Sequence, residues 1–223
     1  MKYITNCLTL VLFVFTLNCE MKPVDDFYGL SPEETGQLFA GLITNQSLVD
    51  NRQGTVIDPL ARLEWSKCTH GQVYRQEFND CLGASAGTIF NPNDPARAGA
   101  KQVAYCDSQT HACNSLSSPM VLQNFSVYVV NGFSELYAAC ESKGAGWRVP
   151  TPIEMQRLVI PGRAATLAFF PSTQEDDYWT AWSNFEDLPG ETAFAISFDR
   201  QSYGTERKII KTQRNFVRCV KSI

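Results

Sequence analysis

The chain has 223 residues, 44% of them hydrophobic and 19% charged, with a formal net charge of −4. That balance suits a folded, core-forming chain and argues against nucleic acid as a partner, because no basic surplus exists to meet a phosphate backbone. Eight cysteines against two histidines point to an oxidising compartment rather than to histidine-rich metal chemistry.

Met1-Lys2 is a minimal basic n-region, and Cys7–Leu17 is an apolar run too short to span a bilayer, the pattern of an export signal. It ends at Asn18-Cys19, which puts Cys19 at the acceptor position for lipoprotein modification. Asn18 departs from the small residue usual there and resembles the permissive lipoprotein signals of spirochaetes; the alternative is an ordinary secretory signal with a chance cysteine. Cleavage after Asn18 leaves 205 residues with 18 basic and 23 acidic side chains, a length that buries about 70% of its unfolded surface as one domain. The expected organisation is a signal peptide over 1–18, a tether with a short helix over 19–50, and a domain over 51–223. On this reading an acyl (palmitate-type) anchor holds the chain to the outer membrane of the cell envelope, with surface display a further expectation.

The remaining elements follow in chain order. Ser31-Pro32-Glu33-Glu34 caps a helix through about Leu42. Thr55–Trp65 alternates like a hairpin around Asp58-Pro59, and residues 83–119 are rich in Asn, Asp, Pro, Ser and Gly, hence mostly loop. Val127–Val130 is a short strand. Phe133, Leu136, Tyr137 and Cys140 form an i, i+3, i+4, i+7 stripe, with Asn131 as its cap and Gly144 as its left-handed close. A second helix starts at Thr151-Pro152-Ile153-Glu154, where Thr151 caps, Pro152 takes the first position and Glu154 completes a capping box. Met155, Leu158 and Val159 give it one apolar side, and Pro161-Gly162 stops it. Trp147, between the helices, is expected to bury its ring where they meet the sheet. Phe194, Ile196 and Phe198 alternate as a half-buried strand.

Setting aside Cys7 in the signal and Cys19 leaves Cys68, Cys81, Cys106, Cys113, Cys140 and Cys219. An even number suggests three disulfides, with 15 possible connectivities.

Five segments, in order, resemble a known family. They are Gly54-Thr55-Val56-Ile57-Asp58 with Leu63-Glu64-Trp65; Cys140 with Gly146-Trp147-Arg148-Val149-Pro150-Thr151, Glu154 and Leu158; Asp177–Thr180; Ala193–Phe198; and Val217-Arg218-Cys219-Val220. The chain from about Asn51 onward resembles the Lcl C-terminal domain family, named for the last module of a bacterial collagen-like surface protein. Leu60-Ala61-Arg62 replaces the usual Thr-Gly-Leu turn, and the 83–119 segment is a long insertion. The resemblance implies an α+β fold: a small, twisted, mostly antiparallel sheet with two helices, of C-type-lectin-like and formylglycine-enzyme-like outline. It makes Trp65, Trp147, Arg148, Pro150, Trp179 and Arg218 signature positions. Together with short loops it favours Cys68–Cys81, Cys106–Cys113 and Cys140–Cys219, the last contributing on the order of 4 kcal/mol through loop-closure entropy.

No catalytic centre emerges. Gly83-Ala84-Ser85-Ala86-Gly87 matches a nucleophile elbow, but a loop follows where a helix is required, and the histidine downstream is His111. Cys68-Thr69-His70 and His111-Ala112-Cys113 lack zinc-finger spacing, and disulfides explain those cysteines more simply. Formylglycine-type enzymes share part of the outline but need a free cysteine pair. Glu175-Asp176-Asp177 and Asn184–Asp187 could offer oxygen ligands to calcium, though solvated acidic loops are the plainer reading. No metal or other cofactor is implied.

Charge asymmetry is the better clue. Residues 174–191 hold six acids and no base, while residues 200–221 hold seven bases against Glu206. Arg207, Lys208, Lys211 and Arg214 are therefore the candidate contacts for a sulfated glycan or an acidic host or matrix protein. Pairing of these bases with nearby acids is the competing reading, and Arg218 has a structural reading of its own. The expected function is recognition without turnover by a lipid-anchored envelope module; a purely structural envelope protein and a formylglycine-type enzyme are the alternatives.

Overall fold

Alternating burial along Thr55–Asp58 (β2) and Leu63–Ser66 (β3) builds the expected antiparallel hairpin, with Val56 opposite Trp65. Asp58 closes its turn by accepting the Ala61 N–H through Oδ1 at 3.0 Å, and Arg62 takes a positive φ of 56°. A left-handed conformation at a non-glycine residue costs about 1 kcal/mol. A computed structural model describes residues 48–83, 99–108, 112–117, 120–123, 132–184 and 190–223, all within one unit, Asn45–Ile223. The signal, Cys19, the Ser31–Leu42 helix, the Val127–Val130 strand, Asn131 and His111 lie outside the described residues.

The hairpin extends into a four-stranded sheet in the order β1 (Val49–Asp50), β2, β3 and β13 (Val220–Ser222). A five-stranded sheet runs β11 (Glu206–Ile210), β10 (Thr192–Ser197), β9 (Asp177–Ser183), β7 (Ser115–Ser117) and β8 (Val121–Gln123). Two ribbons complete the set, β4 (Val73–Arg75) with β5 (Asp80–Gly83), and β6 (Val103–Ala104) with β12 (Arg214–Asn215). Every strand pair is antiparallel, and one isolated parallel bridge joins Tyr178 to Phe216. The α+β expectation holds, although the sheet is several small ones.

Three helices are present among the described residues, where two were expected. Helix α1 spans Glu135–Glu141 and is capped by Ser134, whose Oγ accepts the Tyr137 N–H at 3.0 Å. The helix therefore begins later than the apolar stripe suggested. Phe133 precedes it and is 58% exposed, because a short hydroxyl at position 134 satisfies the helix N-terminus and Phe133 falls outside the first turn. Helix α2, Pro152–Val159, carries the complete expected capping box and buries Met155, Leu158 and Val159. Helix α3, Arg163–Phe169, follows directly from Gly162 at φ 93°. Its Ala-rich sequence favours a helix, but it lacks a side-chain cap and an apolar stripe.

Two apolar clusters hold these elements. One surrounds Trp179, Tyr105, Leu136 and Val217; the other packs Trp65, Phe170, Tyr178, Phe198 and Phe216 under α2. The three disulfides are Cys68–Cys81, Cys106–Cys113 and Cys140–Cys219. The last ties α1 to the segment entering β13, where Arg148 also bridges Val220.

Candidate functional site

The loop after Cys68 turns back on itself at Gly71, whose φ is 88° and whose missing side chain lets the backbone of Gly99 and the stem of Lys101 approach; a Cβ there would collide with both. This close approach places His70 beside Lys101, whose N–H donates to the His70 carbonyl at 2.8 Å. The chain continues from Lys101 into β6, and the β6–β12 register sets Arg214 against Ala104. Glu135, in the first turn of α1, accepts the Ala104 N–H at 3.2 Å. Arg214 donates to Glu135 Oε1 at 3.1 Å and to the Gln102 carbonyl at 2.9 Å. These contacts enclose a recess of about 380 Å³ bordered by His70, Lys101, Phe133, Glu135 and Arg214.

Its electrostatics are one-sided. Burial first, then the charges of Lys143 and Lys101, push the His70 pKa down. Glu135 is held below the usual carboxylate range, first by its bond to Arg214. The Lys143 and Lys101 charges thus oppose protonation of His70 from two other stretches of chain, while the carboxylate in the recess lining is already engaged by Arg214. An anion entering here would relieve that repulsion.

The four candidate bases of the terminal segment do not share a surface. Arg207 lies 3.4 Å from Asp177 Oδ2 and donates to Ser202 Oγ at 2.8 Å. Lys208, next on the exposed strand β11, projects to the opposite face by strand alternation. Lys211 is fully buried, donates to the Ala112 carbonyl at 3.1 Å and lies 5.6 Å from the Tyr105 ring centre. Burial lowers its pKa to about 8. Lys211 therefore cannot present its charge at the surface, and Arg214 alone of the four borders the recess. Sequence reasoning weighs His70 as a zinc ligand and misses Lys101 and Lys143 altogether.

The signature residues are structural. Arg148 is buried and grips Glu154 through two bonds, at 2.7 and 2.6 Å. Pro150 accepts the Ala181 N–H at 2.7 Å, and Trp179 donates from Nε1 to the Val103 carbonyl at 2.9 Å. Trp65 is completely buried. Arg218, also buried, donates to the Ser66 and Lys67 carbonyls and to Thr173 Oγ1, with Phe170 4.4 Å beneath its guanidinium. Trp147 departs from expectation: it is only partly buried, because the adjoining turn leaves one side open, while the Lys221 ammonium lies 5.1 Å from its ring centre.

The acidic loop is internally engaged. Glu175 pairs with Arg163 and Arg200, and Asp176 accepts from Gln102. Burial raises the Asp177 pKa. No group of three His, Cys, Asp or Glu residues is placed to hold a metal among the described residues. Cys68 and Cys113 are held in disulfides. Of the Gly83–Gly87 motif, only Gly83, the end of β5, is described.

The family model of the Lcl C-terminal domain matches residues 54–221. The chain belongs to that family. No curated protein and no solved structure matches it. Membership suggests that this Lcl C-terminal domain is extracellular, and three disulfides are compatible with that setting.

Proposed function

We propose that this Lcl C-terminal domain is a non-catalytic binding module, exported by its N-terminal signal, anchored through an acyl group on Cys19 in the cell envelope, and recognising an acidic ligand such as a sulfated glycan or an acidic matrix protein. One observation carries the recognition reading: His70, Lys101 and Arg214 border a single recess, with Lys143 close enough to depress His70. Glu135 balances Arg214 there, and no acid in the recess lining balances Lys101. An incoming sulfate or carboxylate would supply the missing counter-charge.

Heparin binding measured across a salt series tests this. Affinity should fall steeply as salt rises, because exposed charges are screened within about 8 Å at physiological ionic strength. The double change Lys101→Glu with Lys143→Glu should lower affinity by roughly tenfold or more, since each reversed charge near a binding anion acts at short range. Both residues are exposed, so thermal stability should hold. Salt-insensitive binding, or full affinity in the double variant, would remove the recess from the reading.

A further inference from the structure

A second depression lies on the other side of α1, at the turn that joins it to α2, and its chemistry is different. Gly144 and Gly146 take positive φ values of 111° and 83°, yet a Cβ at either would meet nothing within 4 Å. Backbone conformation, not packing, requires glycine here, and the result is a low, bare wall. That wall bounds a groove of about 580 Å³ whose other surfaces include Tyr137, Trp147, Met120, Glu141 and Ser222.

The polar groups of the groove are sparse and complementary. Glu141 is exposed, and its carboxylate makes no hydrogen bond or ion pair with any described residue. Ser222 Oγ accepts from buried Arg148 at 3.4 Å, which leaves its O–H available to donate outward. The indole N–H of Trp147 donates to no described residue. Two rings and a thioether are thus accompanied by one acceptor, two donors and the Tyr137 hydroxyl, which can do both.

Charge decides what such a groove takes. An anion would meet the Glu141 carboxylate, with Arg148 already committed to Glu154. A cation would find the Trp147 ring already faced by the Lys221 ammonium, 5.1 Å from its centre and held by Glu64 at 2.9 Å. A neutral molecule with an apolar face and hydroxyls that both donate and accept satisfies every group. We propose that the Trp147–Glu141 groove binds the ring of a neutral saccharide, its C–H face against the aromatic side chains and its hydroxyls bonded to Glu141 and Ser222. This site is separate from the cationic recess and does not depend on it.

Saturation-transfer NMR on the mature chain, with maltotriose, cellotriose and chitotriose as probes, tests the assignment. At least one should receive saturation on its ring C–H protons, and added salt should leave the signal unchanged. Trp147→Ala should abolish it. Glu141→Ala, at an exposed position where folding is not at issue, should weaken affinity by about tenfold, the loss of one hydrogen bond of ordinary net strength. The Lys101→Glu, Lys143→Glu double variant should bind as well as the unaltered chain. Silence from all three sugars would overturn the proposal. So would an affinity unchanged by Glu141→Ala, or a signal lost in the recess double variant, which would place the sugar in the other site.

Discussion

The basic terminal segment and the cationic recess make an instructive pair. In the sequence the terminal segment is the conspicuous one, with seven bases between residues 200 and 221. In the fold, two of those bases, Lys211 and Arg218, are completely buried. Arg207 and Arg214 lie against Asp177 and Glu135, and Lys221 against Glu64. The recess takes only Arg214 from that run and joins it to His70 and Lys101 from two other stretches of chain, with Lys143 near His70. Charge crowded along a sequence is easily dispersed by a strand, which sends alternate side chains to opposite faces. Charge gathered in space depends on which loops the sheet ribbons bring together.

If this division is right, changes in the terminal segment should act on stability and changes in the recess on binding. Arg218→Met is the harshest test. It strands two backbone carbonyls and a hydroxyl in the interior, and each buried polar group left without its partner costs about 1–3 kcal/mol. Denaturant titration should show that loss; a variant of native stability would mean that the terminal segment is not the internal tie described.

Lys211 sharpens the comparison, because its burial contributes strain rather than support. Its folded pKa of about 8 lies below the ordinary value of about 10.4. Below the folded value the ammonium must be kept charged in the interior, so the penalty is full there. It is relieved as pH rises through the interval between the two values, where the unfolded chain still holds the proton. Relative to Lys211→Met, the unaltered chain should therefore gain roughly 1–3 kcal/mol in unfolding free energy over that interval. A difference independent of pH would show that Lys211 is not buried as an ammonium.

The smallest effect belongs to His70. Burial and neighbouring cations hold its pKa below the ordinary value, about 6.5. A bound anion favours the protonated ring, so heparin affinity should rise as pH falls through the His70 pKa, by roughly two- to fivefold for one added charge at a partly screened site. His70→Gln should flatten the profile. An unchanged slope in that variant would take His70 out of the recess's electrostatics.

Legibility divides along the same line. The α2 corner can be read from its letters because everything it needs is local: Thr151, Pro152 and Glu154 satisfy its first turn among themselves. The start of α1 is misplaced by sequence because an apolar stripe through Phe133 outweighs the capping hydroxyl of Ser134 one position later. Helix α3 offers only alanines. The Cys140–Cys219 tie follows from resemblance rather than from spacing. Lys211 defies the ordinary rule that lysine stays in water. The recess is out of reach, since His70 meets Lys101 only through the glycine contact at Gly71, and Arg214 joins them only through the β6–β12 register. No periodicity announces either.

Arg218 reaches the Ser66 carbonyl across 152 positions of chain, and β13 completes a sheet whose other strands lie before Lys67. A polypeptide made N-terminus first must hold strands β1–β3 open-edged, with Trp65 uncovered, until β13 arrives. Closure of such distant pairings is slow, and exposed strand edges attract other chains meanwhile. The two short-range disulfides can be oxidised during that wait, but Cys140–Cys219 has to come after it. The order of synthesis thus becomes an order of assembly.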